Sequence, residues 1–121
     1  MTKMAKKAEL KWLFIDLETT GLNPGTDQII EIAAVSRSTS GETEEFTSLV
    51  NRGCFVDPFV QRLTGINNEM VSKAPKLADI KPEIEEMLAG TILVAHNASF
   101  DVSFLEAGLS LHIGRKYVID T

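Results

Sequence analysis

An aspartate in the middle of a short apolar run, Trp12-Leu13-Phe14-Ile15-Asp16-Leu17, is the feature that most restricts how this chain folds. The run has the length of a strand, and its near-continuous apolar character predicts a strand buried on both faces. A charge inside such a run needs a partner, because an unpaired carboxylate in an apolar setting is costly. No lysine or arginine is adjacent to it in sequence, and the next charge is a second acid, Glu18. Period-two alternation puts Asp16 and Glu18 on one face, with Cα atoms roughly 6.5–7 Å apart. Two carboxylates so placed repel unless a cation sits between them.

The rest of the chain supplies the scaffold. After the turn cluster Gly21-Leu22-Asn23-Pro24-Gly25, residues 28–35 read as a second strand and 45–50 as a third, joined by the polar stretch 36–43. Residues 58–71 read as short helical turns divided by Gly65. Ile80, Ile84, Met87 and Leu88 recur at helical spacing over 79–89, with Pro82 near the start of that helix and Gly90 at its C-terminal cap. Residues 91–95 form a further buried strand. Phe100, Phe104, Leu105 and Leu109 mark a helix ending near Gly114, and a last strand opens at 117–119. This order predicts an α/β fold, an antiparallel three-strand meander plus parallel strands in one mixed sheet flanked by helices. The crossover through 79–89 sets strand 91–95 parallel to a neighbour, most economically the first strand. Sites in such sheets gather at the carboxyl ends of the parallel strands.

Asp101, at the start of the helix after strand 91–95, brings a third carboxylate toward that edge. Taken singly, each acid has a plainer reading. A D-x-E pair is usually solvated surface, and Asp101 suits the first turn of a helix. The apolar setting of Asp16 shifts the balance toward a metal site. Hard oxygen ligands suit Mg²⁺ or Mn²⁺ rather than zinc. Paired ions roughly 3.5–4 Å apart activate a water and stabilise the leaving oxygen of a phosphodiester.

Charge alone argues the other way. The chain of 121 residues carries a net −5, although residues 1–11 hold four lysines against Glu9. Those residues read as a flexible basic segment, and 12–121 as one acidic domain. Nucleic acid is held mainly by Lys and Arg on its phosphates, but bound divalent cations reverse the local sign of a carboxylate cluster. The single cysteine, Cys54, forms no internal disulfide, and no apolar run approaches the ~20 residues of a membrane span. The basic start has no apolar stretch after it and is not a secretory signal. The expectation is a cytoplasmic protein with no membrane partner.

Several motifs carry a resemblance. Phe14-Ile15-Asp16-Leu17-Glu18-Thr19-Thr20-Gly21-Leu22 resembles the first motif of the DEDD 3′–5′ exonucleases, in the His-containing branch of the proofreading epsilon subunits of bacterial DNA polymerase III. Residues 28–35 (QIIEIAAV), Leu63-Thr64-Gly65-Ile66, Val94-Ala95-His96-Asn97-Ala98-Ser99-Phe100-Asp101 and Ile119-Asp120-Thr121 are similar to later segments of that family, in order, from about Trp12 to the end. The resemblance implies a ribonuclease-H-like fold and a two-metal site of Asp16, Glu18 and Asp101 holding Mg²⁺ or Mn²⁺. It implies that Thr19 and Thr20 hold the terminal nucleotide and that Leu22 presses on the terminal base. It further implies substrate-binding roles for Thr64, lining the cleft, and Asn97, supporting the site by hydrogen bonding, although a helix stop and a turn explain these two as well. Phe100 belongs to the same motif, but its helical register with Phe104 makes simple packing the better reading. Glu31 takes no catalytic role. His96 does not match the family's catalytic histidine, and His112 suits a helix end. The 14–20 stretch also resembles the haloacid-dehalogenase phosphatases, but its second acid is glutamate and no later Gly-Asp or Asp-Asp metal pair appears.

The family's third motif, a histidine and a fourth aspartate, has no counterpart before residue 121. Losing a general base costs ~10²–10⁴-fold, so the expectation is a truncated and impaired exonuclease with exposed apolar surface near its last strand, open to self-association. The expected partners are the single-stranded or frayed 3′ end of DNA, with RNA possible, and a DNA polymerase subunit. The competing class is a non-catalytic nucleic-acid or polymerase-binding module on the same scaffold.

Overall fold

The computed structural model describes residues 9–51, 53 and 55–121, so the basic residues 1–8 and Cys54 lie outside it. Strand β1 spans Lys11–Thr19, β2 Ile29–Ser38 and β3 Thr43–Leu49. Two short helices follow, α1 (Pro58–Thr64) and α2 (Asn68–Ser72), then α3 (Leu77–Leu88), β4 (Ile92–Ala95), α4 (Ala98–Leu109), a 3₁₀ turn and β5 (Val118–Asp120). The sheet order is β3-β2-β1-β4-β5. β1 pairs antiparallel with β2 and parallel with β4, and β5 runs parallel to β4. The meander and the parallel crossover are those expected.

Local chemistry explains the short helices. Asp57 accepts from the Phe59 N–H at 2.8 Å and Pro58 opens α1, while Gly65 closes it with a left-handed backbone (φ 78°). Asn67 caps α2 by accepting from the Met70 N–H at 2.8 Å. Helix α3 starts two residues earlier than expected, at Leu77, because the Asp79 carboxylate accepts from the Lys76 N–H at 3.2 Å. Pro82 therefore sits inside the helix rather than near its start.

Burial corrects the picture of β1. Leu13, Ile15 and Leu17 are buried, whereas Phe14 and Asp16 between them are exposed, so the strand is covered on one face only. The covered face carries the main core, where Leu13, Ile32, Leu93, Leu77, Ile84, Phe104 and Leu105 pack together under α3 and α4. A register shift at Glu18/Thr19 opposite Ile29 lets Ile29 and Ile32, three apart, share this core. Ile30 instead joins a second cluster with Val56, Val60, Ile66 and Val71 beneath α1 and α2. The open face leaves Phe14, Val35 and Ile119 37–46% exposed. Helix α4 ends at Leu109, short of Gly114, because Ser110 turns left-handed (φ 54°) and Glu106 reaches forward to accept from the Ile113 N–H at 2.9 Å. Among the described residues no helix is long and apolar enough to cross a membrane.

Candidate active site

Parallel pairing of β1 with β4 brings their carboxyl ends to one edge of the sheet. Asp16 and Glu18 stand near the end of β1, opposite Ala33 and Glu31 of β2. Asp101 comes from the first turn of α4, directly after β4, and is 4% exposed. The buried acid is thus Asp101, whereas Asp16 lies exposed on the open face. The premise that Asp16 is costly to bury is corrected by the one-sided burial of β1; the penalty falls on its neighbour.

Electrostatics tie the acids together. Burial, and then the charge of Asp16, pushes the Asp101 carboxyl up to about 7. Burial raises Glu18 as well, with Asp16 and Glu31 adding to it. Ion pairs among the described residues link Lys73 to Glu69, and His112 and Arg115 to Glu106; none reaches this edge. The donors are carboxylate oxygens whose charged forms lack a compensating cation, which fits a hard divalent ion. Among the described residues, no three His, Cys, Asp or Glu side chains are gathered tightly enough to form a ready metal cage. Asp16 also lines a shallow hollow of about 340 Å³ with Phe14, Val35, Val94 and His96. A larger cavity, about 680 Å³, lies at the other end of these strands around Gly90, Ile92 and Ile113.

The loop after β1 is held by its own side chains. Thr19 Oγ1 donates to the Gly21 carbonyl at 2.6 Å. Thr20 Oγ1 donates to Asp27 Oδ1 at 3.2 Å and accepts from the Gln28 N–H at 2.9 Å. Asp27 Oδ2 accepts from the Asn23 N–H at 2.9 Å. A Cβ at Gly21 would meet the Asp27 carboxylate, so a side chain there would displace the group that holds the loop. Both threonine hydroxyls are therefore engaged in shaping the loop, which presents Leu22 83% exposed.

The remaining candidates separate. Thr64 Oγ1 donates to the Val60 carbonyl at 2.8 Å and accepts from Ile66, the behaviour of a helix stop. The Phe100 ring packs 4.8 Å from that of Phe104. Asn97 sits at the N-cap of α4 in left-handed conformation without a side-chain capping bond. His96 is exposed, and His112 Nδ1 lies 3.4 Å from Glu106 Oε2. Glu31, given no role on sequence, faces Glu18 directly across the β1–β2 pair. Only the hairpin register reveals that proximity.

Comparison with known proteins gives a consistent picture. The RNase_T family model, described as Exonuclease, matches residues 13–121. A DNA polymerase III PolC-type from Caldanaerobacter subterraneus subsp. tengcongensis is 40% identical over 99 residues, 82% of this chain and 7% of that protein. A DNA polymerase III subunit epsilon from Treponema pallidum is 41% identical over 96 residues, 79% of this chain and 45% of that protein. The chain thus spans less than half the length of these relatives. The structure of exonuclease I from Methylocaldum szegediense is similar with a TM-score of 0.71 at 23% identity, covering 80% of this chain and 22% of that one.

Proposed function

The chain belongs to the RNase_T exonuclease family, and from that premise we propose that it removes nucleotides from the 3′ end of single-stranded or frayed DNA, as a proofreading-type activity. The observation that carries this reading is the uncompensated carboxylate group at the carboxyl edge of β1 and β4, with Asp101 buried and pushed up to about 7. Asp16, Glu18 and Asp101 would hold Mg²⁺ or Mn²⁺. Such an ion supplies an activated water and charge stabilisation for the departing oxygen. The chain's own residues then set direction and fit. The loop held by Thr19, Thr20 and Asp27 presents Leu22 to the terminal base, and Phe14 and Val35 beside Asp16 give a nucleobase an apolar floor. The relatives' names point to DNA and to a polymerase subunit as partner.

A second reading, a binding module that retains the scaffold, is favoured by the absence of a tight three-ligand cage among the described residues. A Mn²⁺-dependent assay on a 3′-labelled single-stranded oligonucleotide separates the two, with Asp16→Ala as control. Stepwise loss of label that Asp16→Ala abolishes is the expected result. The rate is expected to be low, since acid–base groups contribute ~10²–10⁴-fold and the three candidate ligands among the described residues are all carboxylates. Oligonucleotide binding without any metal-dependent loss of label would favour the module. Running the RNA oligonucleotide of the same sequence in parallel decides the sugar preference.

A further inference from the structure

Helix α4 carries Asp101 in its first turn, and its local cap is incomplete. An N-cap residue normally has extended backbone and a side-chain oxygen that accepts from the second or third helical N–H. Asn97 has neither: its backbone is left-handed (φ 56°, ψ 54°) and its side chain makes no capping bond. The acceptor comes from elsewhere in the chain. The Ala98 N–H donates to Asp120 Oδ1 at 3.3 Å, from the last residue of β5. Parallel pairing sets Asp120 in register with Ala95, and the Thr121 N–H donates to the Ala95 carbonyl at 3.0 Å. The turn between β4 and α4 is thus gripped by β5 through backbone and side chain together. A carboxylate here also complements the helix dipole.

The Asp101 carboxylate makes no side-chain hydrogen bond or ion pair among the described residues. Its direction therefore follows the backbone of α4, whose neighbouring residues Val102, Phe104 and Leu105 are buried. We propose that Asp120 is a positioning residue, capping α4 from β5 so that Asp101 is held where it shares a divalent ion with Asp16. This rests on the reading of the carboxylates as a metal site. Groups that orient metal ligands from outside typically contribute about 10–100-fold in affinity.

The test combines Mn²⁺ titration, followed by electron paramagnetic resonance, with amide exchange at Ala98. It uses the wild-type chain, Asp16→Ala, Asp120→Asn and Asp120→Ala. Asp120→Ala is expected to weaken Mn²⁺ binding about tenfold or more and to speed exchange at Ala98. Asp120→Asn keeps an oxygen acceptor and is expected to restore both. Unchanged Mn²⁺ affinity or unchanged exchange in Asp120→Ala overturns the proposal. So does an Asp120→Asn chain that protects Ala98 yet binds Mn²⁺ as poorly as Asp120→Ala, because the charge and not the cap is then at work. Wild-type Mn²⁺ binding that Asp16→Ala leaves intact sinks the metal-site reading itself, and the proposal with it, whatever the Ala98 exchange shows.

Discussion

Replacing Asp101 by asparagine is expected to make the metal-free chain more stable at about pH 8 while removing the metal-dependent nuclease activity proposed for it. The stability effect follows from the carboxyl being pushed from 3.8 up to about 7 in the folded chain. Below the unfolded value the group is protonated in both states and carries no penalty. Between 3.8 and about 7 the unfolded chain releases its proton while the folded chain keeps it, so stability falls as pH rises. Above that window the loss is complete. A rise of that size corresponds to an upper bound of about 4 kcal/mol, and screening at the open edge of the sheet reduces this to on the order of 2 kcal/mol. Urea unfolding of wild type and Asp101→Asn in the presence of chelator, at about pH 4 and pH 8, reads the difference directly. The two chains should converge at the acid end and separate at the alkaline end. Equal stabilities at both would mean that Asp101 is not destabilised by its surroundings. Activity should fall at least ~10²-fold, beyond what an indirect partner of a metal ligand usually costs.

Phe104→Ala is expected to destabilise the chain by about 3–5 kcal/mol. The ring is 2% exposed, lies in the main core between sheet and helices, and packs 4.8 Å from Phe100. A loss of that size is a large part of the roughly 5–15 kcal/mol that holds a domain together. The same truncation at Leu22, 83% exposed on the loop after β1, should stay within about 0.5 kcal/mol. Denaturant midpoints for the two variants provide the comparison. A Phe104→Ala chain as stable as Leu22→Ala would show that α4 is not seated on the sheet as described.

Much of the scaffold is legible in the residues. The strand–turn–strand pattern from Trp12 to Val50 predicts the meander because turn residues and apolar runs alternate cleanly. Gly65 divides α1 from α2 as its left-handed backbone requires. The 79–89 helical spacing forces the crossover that makes β4 parallel to β1. What escaped depends on neighbours distant in the chain. An apolar run cannot tell whether one face or two will be covered, so Phe14 and Asp16 read as buried although no described element packs over them. The polar stretch 36–43 read as a turn, yet Ser36 and Ser38 continue β2 and are buried, leaving only 39–42 between the strands. Ser110 ends α4 in a conformation that serine seldom signals.

The candidate site divides in the same way. Asp16, Glu18 and Asp101 could be picked out because alternation and sheet topology both point to one edge. Which acid is buried, that Glu31 faces Glu18, and that Asp27 and Asp120 organise the loop and the helix start are matters of register and tertiary contact. Spacing along the chain does not encode them.

The most direct test of the carboxylate edge as a divalent-ion site is calorimetric titration of Mn²⁺ at about pH 6.5, in two buffers of different ionisation enthalpy, because ligands must lose their protons to bind. With Asp101 at about 7, ion binding is expected to release a substantial fraction of a proton, less at higher pH and markedly less in Asp101→Asn. Ion binding with no proton release at this pH, or with release that Asp101→Asn leaves unchanged, would place the ion elsewhere and contradict the account.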